Sequence, residues 1–136
     1  MSDQVSLYER IGGEQGVRTF VNLFYDFMDS LPQAKHIRSL HAADLSDSRL
    51  KLFEYYTGWF GGPPLFVDKY GHPRLRARHK HVSIGVDDRD AWRACLYKTL
   101  EQMSLEPALE VELLEKIEPM ADHMRNVEEE APLVDC

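Results

Sequence analysis

Cysteine is scarce in this chain of 136 residues, which holds only Cys95 and Cys136. They lie far apart and form no Cys-x-x-Cys pair, so neither a disulfide scaffold nor a thiolate zinc site is indicated. One thiol suits a small core position and the other a solvated tail. Long apolar runs are missing too. The longest stretch without a formal charge, Tyr55 to Val67, is broken by Gly61-Gly62-Pro63-Pro64 and falls short of the roughly 18 apolar residues of a spanning helix. No membrane partner is expected. Positive charge is the minority sign, with 16 Lys and Arg against 23 Asp and Glu and a net charge of -7. Such a field opposes a general polyanion binder and makes nucleic acid a poor partner. The segment from Met1 to Arg10 lacks the basic-then-apolar order of a secretory leader, so a cytoplasmic protein is expected. Strict polar/apolar alternation is also missing, and the expected fold class is all-α.

Helical periodicity, by contrast, is plentiful. Val17, Val21, Phe24, Tyr25 and Met28 recur at three- and four-residue steps between Gly12-Gly13 and Pro32, which predicts a helix from about Glu14 to Asp29. Ser6 with Glu9 three residues on forms a capping-box signature for a short leading helix to Ile11. A weaker short helix is expected over Gln33 to Leu40. Ser46 is the candidate N-cap of the next long helix, whose stripe is Ser48, Leu52, Tyr55, Tyr56 and Trp59 before the Gly61-Gly62-Pro63-Pro64 stop. A later helix from Asp87 to Met103 aligns Trp92, Cys95, Leu96, Thr99 and Met103 behind acids suited to its N-terminus. The last, from about Pro107 to Val127, repeats Leu109, Leu113, Ile117, Met120, Ala121 and Met124. Pro119 predicts a kink within it. Residues 1–127 read as one domain, and 128–136 as an acidic tail without fixed structure.

Gly61 to Gly85 has little periodicity and is long for a plain connection. It gathers Lys69, Arg74, Arg76, Arg78 and Lys80 with His72, His79 and His81, so five of the sixteen basic residues stand in one segment. A ligand bearing carboxylates or phosphates would match this cluster. Pairing with the chain's own acids on a solvated face would match it as well, and composition alone favours that reading. His79 and His81 are two residues apart, which on a helix turns them to nearly opposite sides, so zinc is weakly supported. A single axial imidazole needs less, because a porphyrin supplies the other four nitrogens to a haem iron. Haem would also offer two propionates to the arginines and a flat apolar disc to aromatic walls.

The order of the segments narrows the choice. Gly12-Gly13, Phe24-Tyr25-Asp26, His41-Ala42-Ala43-Asp44-Leu45, Gly61-Gly62-Pro63-Pro64-Leu65, the string from Gly71-His72-Pro73-Arg74 through Leu75-Arg76-Ala77-Arg78-His79, and Asp90-Ala91-Trp92 together resemble the truncated haemoglobins of group II. The resemblance covers roughly residues 5 to 127, and its most specific part is the string ending at His79 with the later Asp-Ala-Trp. It implies a two-over-two helical sandwich around haem b, with a much reduced helix before the proximal one. On this resemblance His79 matches the proximal iron ligand, Trp92 the tryptophan over the haem, and Tyr25 the distal tyrosine. His41 falls at the distal corner, and Ser48 and Leu52 match two distal positions one turn apart. Arg76 and Arg78 are candidates for propionate pairing, and Phe66 stands at a haem-side position where a tyrosine is frequent. The chain departs from many relatives after the proximal histidine, reading Lys80-His81-Val82 where x-Pro-Phe is common.

Bland roles compete with each of these. Tyr25 and Trp92 could be core anchors, Ser48 a polar residue of a first turn, and His41 a solvated helix end. The expected function is binding of dioxygen and other diatomic ligands, with slow oxygen release because Tyr25, Trp92 and His41 can offer donors to a partially negative ligand. The resemblance leaves open whether the protein is an enzyme, as a nitric oxide dioxygenase or with peroxidase-like turnover. Either activity would need an external reductant, since no Gly-rich nucleotide motif is present. The alternatives are a haem-based sensor and a non-haem interaction module using the basic segment 69–80. A monomer and a homodimer are equally compatible.

Overall fold

The structure, a computed structural model, describes residues 5–71 and 85–123. Helix α1 (Leu7–Ile11) is capped by Ser6, whose Oγ accepts the Glu9 N–H at 3.1 Å. Gly12, at φ 115°, ends it in a left-handed conformation open to glycine and launches α2 (Gly13–Ser30) in another direction. The predicted stripe of α2 is fully inside: Val17, Val21, Phe24, Tyr25 and Met28 are all buried, with Phe20 added. At Leu31 the backbone extends and Pro32 opens a 3-10 turn, Pro32–Ala34, leading into α3 (Lys35–Ser39).

Helix α4 (Ser46–Trp59) starts differently from the sequence expectation. Leu45 is the N-cap and Ser46 the first helical residue, because the Asp44 carboxylate accepts the Ser46 N–H at 2.9 Å and fixes the turn one residue earlier. Its deepest face is Phe53, Tyr56 and Thr57, followed by Phe60, while Ser48, Leu52, Tyr55 and Trp59 form a second, half-buried side. After Gly61 and Gly62, α5 (Leu65–Tyr70) packs back on α4. Helix α6 (Val86–Met103) is opened by Gly85, whose N–H donates to the Asp88 carboxylate at 3.2 Å. Helix α7 (Pro107–His123) runs on past Pro119. The predicted extension to Val127, with Met124, and the tail beyond lie outside the described residues.

α2 packs on both α4 and α6, and α6 packs on α7, so the pairs α2/α4 and α6/α7 make the two layers of an all-helical sandwich. Cys95, Leu96, Leu113 and Ile117 seal the α6/α7 side, each completely buried. A fully buried Leu or Ile contributes roughly 1.5–3 kcal/mol, so this seam carries much of the driving force. The two buried threonines lose nothing by their hydroxyls: Thr57 donates to the Phe53 carbonyl at 2.7 Å and Thr99 to that of Cys95 at 2.8 Å. Among the described residues no helix is long and apolar enough to cross a membrane.

Candidate functional site

The α2 stripe that builds the core also delivers the site's most constrained polar group. Tyr25 is 6% exposed, and its hydroxyl makes no hydrogen bond to the described residues. Burial pushes this phenol up to about 12, with the charge of Arg49 pulling the other way. It therefore keeps its proton at any physiological pH and can both donate and accept. Its ring meets the His41 imidazole edge to face at 5.8 Å and Phe24 at 5.5 Å. Phe24 in turn meets Trp92 of α6 at 5.0 Å. One aromatic cluster thus joins three of the sequence-predicted residues, from α2, the turn after α3, and α6.

The turn that carries His41 is held by Arg38. Its guanidinium donates to the carbonyls of Ala42 and Ala43, both at 2.9 Å, and to Asp29 of α2 at 2.6 Å. The His41 Nδ1 lies 2.8 Å from the Ile37 carbonyl. A carbonyl can only accept, so Nδ1 carries the proton and a neutral His41 presents the lone pair of Nε2. This narrows the expectation that His41 donates alongside Tyr25 and Trp92: it can do so only as the imidazolium.

Helix α4 begins beside this cluster, where the Arg49 guanidinium lies 5.8 Å from the Tyr25 ring centroid. From there its half-buried side, Ser48, Leu52, Tyr55 and Trp59, runs toward α5. Tyr55 and Trp59 stack at 5.5 Å with 23° between their planes, and Phe66 stands edge-on to Tyr55 at 5.9 Å. Burial raises the Tyr55 phenol above its ordinary range as well. Ser48 and Leu52 are partly buried and Phe66 is buried. Lys69, the first basic residue of the segment singled out above, pairs at 2.8 Å with Glu54, itself buried. Arg76, Arg78 and His79, together with His72, Lys80 and His81, lie outside the described residues.

Two comparisons settle the family. Residues 6–126 match the family model described as bacterial-like globin, and the group 2 truncated hemoglobin YjbI of Bacillus subtilis is 35% identical over 119 residues, 88% of this chain and 87% of that protein. The chain belongs to the group II truncated haemoglobins of the bacterial-like globin family. Solved structures agree. The group II 2-on-2 hemoglobin from the plant pathogen Agrobacterium tumefaciens is 43% identical, with a TM-score of 0.85 over 93% of this chain and 98% of that one. The truncated oxygen-avid haemoglobin from Bacillus subtilis is 34% identical, with a TM-score of 0.81 over 90% and 100%. The two-over-two sandwich expected from the resemblance is the fold of this globin.

Membership implies haem-based oxygen binding, and the described residues fit that group. A flat macrocycle needs apolar walls and few polar contacts. Leu52, Tyr55 and Trp59 offer an apolar side along α4, and Arg49 of the same helix lies over the ring of the protonated Tyr25, whose hydroxyl is uncommitted to the described residues. The sequence places Phe24 in the α2 stripe but does not show its part as the ring that links Tyr25 to Trp92, and it gives Arg49 no role. Arg49 carried no signal of its own.

Proposed function

We propose that this globin binds haem b through His79 and holds dioxygen and other diatomic ligands beneath Tyr25 and Trp92, releasing oxygen slowly. When bound, the haem supplies a ferrous iron with one position open to a diatomic molecule. The chain's own residues do the rest. Tyr25 keeps a proton on a buried oxygen, Trp92 offers an indole N–H that cannot accept, and Phe24 fixes the two side chains relative to one another. Donors aimed at a ligand that carries partial negative charge retard its departure, and more so in a water-poor site. The placement of the protonated Tyr25 in one cluster with Trp92 is the observation that carries this reading. The similarity to a globin described as oxygen-avid points the same way.

Slow release suits scavenging, sensing or redox chemistry such as nitric oxide dioxygenation better than bulk delivery, and the redox roles require an electron donor supplied by another molecule. The interaction-module alternative loses one of its basic residues, because Lys69 is tied to Glu54 within the fold.

The test is the absorption spectrum of the purified protein, ferric and then ferrous with carbon monoxide, for the natural sequence and for His79→Ala with and without imidazole. A Soret band that His79→Ala abolishes and imidazole restores supports the assignment. A colourless protein overturns haem binding, and an unchanged spectrum in His79→Ala with loss in His81→Ala moves the ligand to His81.

A further inference from the structure

Arg49 joins α4 to α2 through three hydrogen bonds. Its Nη1 donates to the Asn22 carbonyl at 3.0 Å and to Asn22 Oδ1 at 3.2 Å, and its Nη2 donates to Asp26 Oδ1 at 2.9 Å. All three acceptors belong to one helical turn of α2, the turn that precedes and contains Tyr25. Between the helices it borders a cavity of about 150 Å³ with Val21 and Phe53. Asp26 is 62% exposed, so the ion pair contributes little as a stabilising contact. What the three bonds do is immobilise a planar cation, since a guanidinium fork held at both ends cannot swing away as a lysine would. The cation they immobilise rests over the ring of Tyr25 at 5.8 Å, within the range of attraction to an aromatic face.

We propose that Arg49 is a positioning residue for Tyr25: fixed by Asn22 and Asp26, it pins the phenol ring against His41 and Phe24 and polarises the hydroxyl toward donation to the bound ligand. This rests on the reading of Tyr25 as a donor. The ring is then bounded by Arg49, His41 and Phe24, which leaves the hydroxyl as its one uncommitted group among the described residues. Independently, the charge of Arg49 draws the Tyr25 proton toward release, opposing the effect of burial.

The experiment compares Arg49→Met, which keeps an aliphatic stem, with Arg49→Lys, which keeps only the charge, in the intact protein and in a Tyr25→Phe background. Three readouts are taken: the ring resonances of Tyr25 by 13C-tyrosine NMR, the oxygen dissociation rate, and the C–O stretching band of the carbon monoxide complex. Arg49→Met is expected to shift the Tyr25 resonances, speed oxygen release about threefold to tenfold, and move the C–O band in the direction of weaker donation. Arg49→Lys falls between. In the Tyr25→Phe background Arg49→Met leaves the oxygen rate unchanged. Equal acceleration in both backgrounds overturns the proposal, and so do unmoved Tyr25 resonances. Should Tyr25→Phe alone leave oxygen release unchanged while Arg49→Met still shifts the Tyr25 resonances, the positioning stands and the donor reading of Tyr25 falls. If Arg49→Met does not fold, Arg49→Lys and Asp26→Asn carry the same comparison.

Discussion

Tyr25 and His41 meet edge to face, ring centroids 5.8 Å apart and planes 77° apart, while the imidazole Nδ1–H is already given to the Ile37 carbonyl. The neutral histidine therefore stands beside the phenol as an acceptor, and only a second proton turns its Nε2 into a donor. His41→Phe keeps an aromatic ring against Tyr25 while removing both imidazole nitrogens and the bond to Ile37. Loss of one hydrogen bond of about 1 kcal/mol corresponds to roughly fivefold in rate, so oxygen release should accelerate by about that factor in stopped-flow measurements. An unchanged rate would leave His41 as a helix-end residue with no part in ligand retention.

Tyr25 also makes alkaline stability measurable. Its pKa of about 12 in the fold lies above the unfolded value near 10, so between those limits the unfolded chain loses a proton that the native state retains. Stability is thus unaffected below about pH 10 and falls as pH rises toward 12. Two units correspond to about 2.7 kcal/mol. Tyr56, raised well above its ordinary range by burial, acts in the same direction. Urea titrations of Tyr25→Phe should give a shallower alkaline decline than the natural chain, and an identical decline would mean that Tyr25 already ionises like an exposed phenol.

Close approach of α1 to α2 gives a sharper stability test. A Cβ on Gly16 would lie 1.9 Å from the Ile11 carbonyl oxygen, which is backbone and cannot yield. Gly13, at φ 66°, has nothing within 4 Å of a Cβ, so alanine there meets only backbone strain of about 1–2 kcal/mol. Gly16→Ala should cost about 3 kcal/mol or more and exceed Gly13→Ala in chemical denaturation. The reverse order would mean that the two helices sit farther apart.

Thiol chemistry separates the two cysteines. Cys95 is completely buried, and burial pushes its thiol up to about 11, which suppresses the reactive thiolate. An aromatic disulfide reagent should leave Cys95 unmodified in the native chain and reach it only on unfolding. Two fast equivalents in the native protein would contradict the packing of α6.

These tests also show what the sequence could and could not convey. Local signals were legible wherever one helix acts alone: Ser6 with Glu9 at the start of α1, the stripe of α2, and the stop after Trp59 all stand as read. Reading failed where two elements compete for one residue. Asp44 displaced Ser46 as the group fixing the start of α4. Of the expected stripe of α4, Tyr56 lies in the core while Ser48, Leu52, Tyr55 and Trp59 form the half-buried side, because Phe53, Thr57 and Phe60 face the core from another angle that periodicity alone does not select. Gly16 and Arg49 matter only through residues on a neighbouring element, Ile11 for one and Asn22 with Asp26 for the other. The distal candidates Tyr25, His41 and Trp92 were reachable from sequence through the family resemblance. Their linkage through Phe24 was not, since it depends on how α2 and α6 cross.

Trp92 offers the most direct test of the donor site. Its indole packs on Phe24 at 5.0 Å with planes inclined by 62°, so Trp92→Phe keeps an aromatic contact there while deleting the only hydrogen-bond donor of the side chain. Stability should change by less than about 1.5 kcal/mol. The ligand should respond far more: a hydrogen bond in a water-poor site exceeds the usual net of about 0.5–1.5 kcal/mol. Taking roughly 2 kcal/mol as lost, oxygen dissociation should accelerate tenfold to thirtyfold. Carbon monoxide, much less polar when bound, should respond less, which separates loss of a donor from a general loosening of the pocket. Tyr25→Phe and the double variant complete a cycle whose coupling reports whether the two donors share one ligand. Acceleration in Trp92→Phe that depends on Tyr25 supports a joint site, whereas an unchanged oxygen rate in both backgrounds would leave Trp92 as an aromatic anchor of the α2/α6 contact and nothing more.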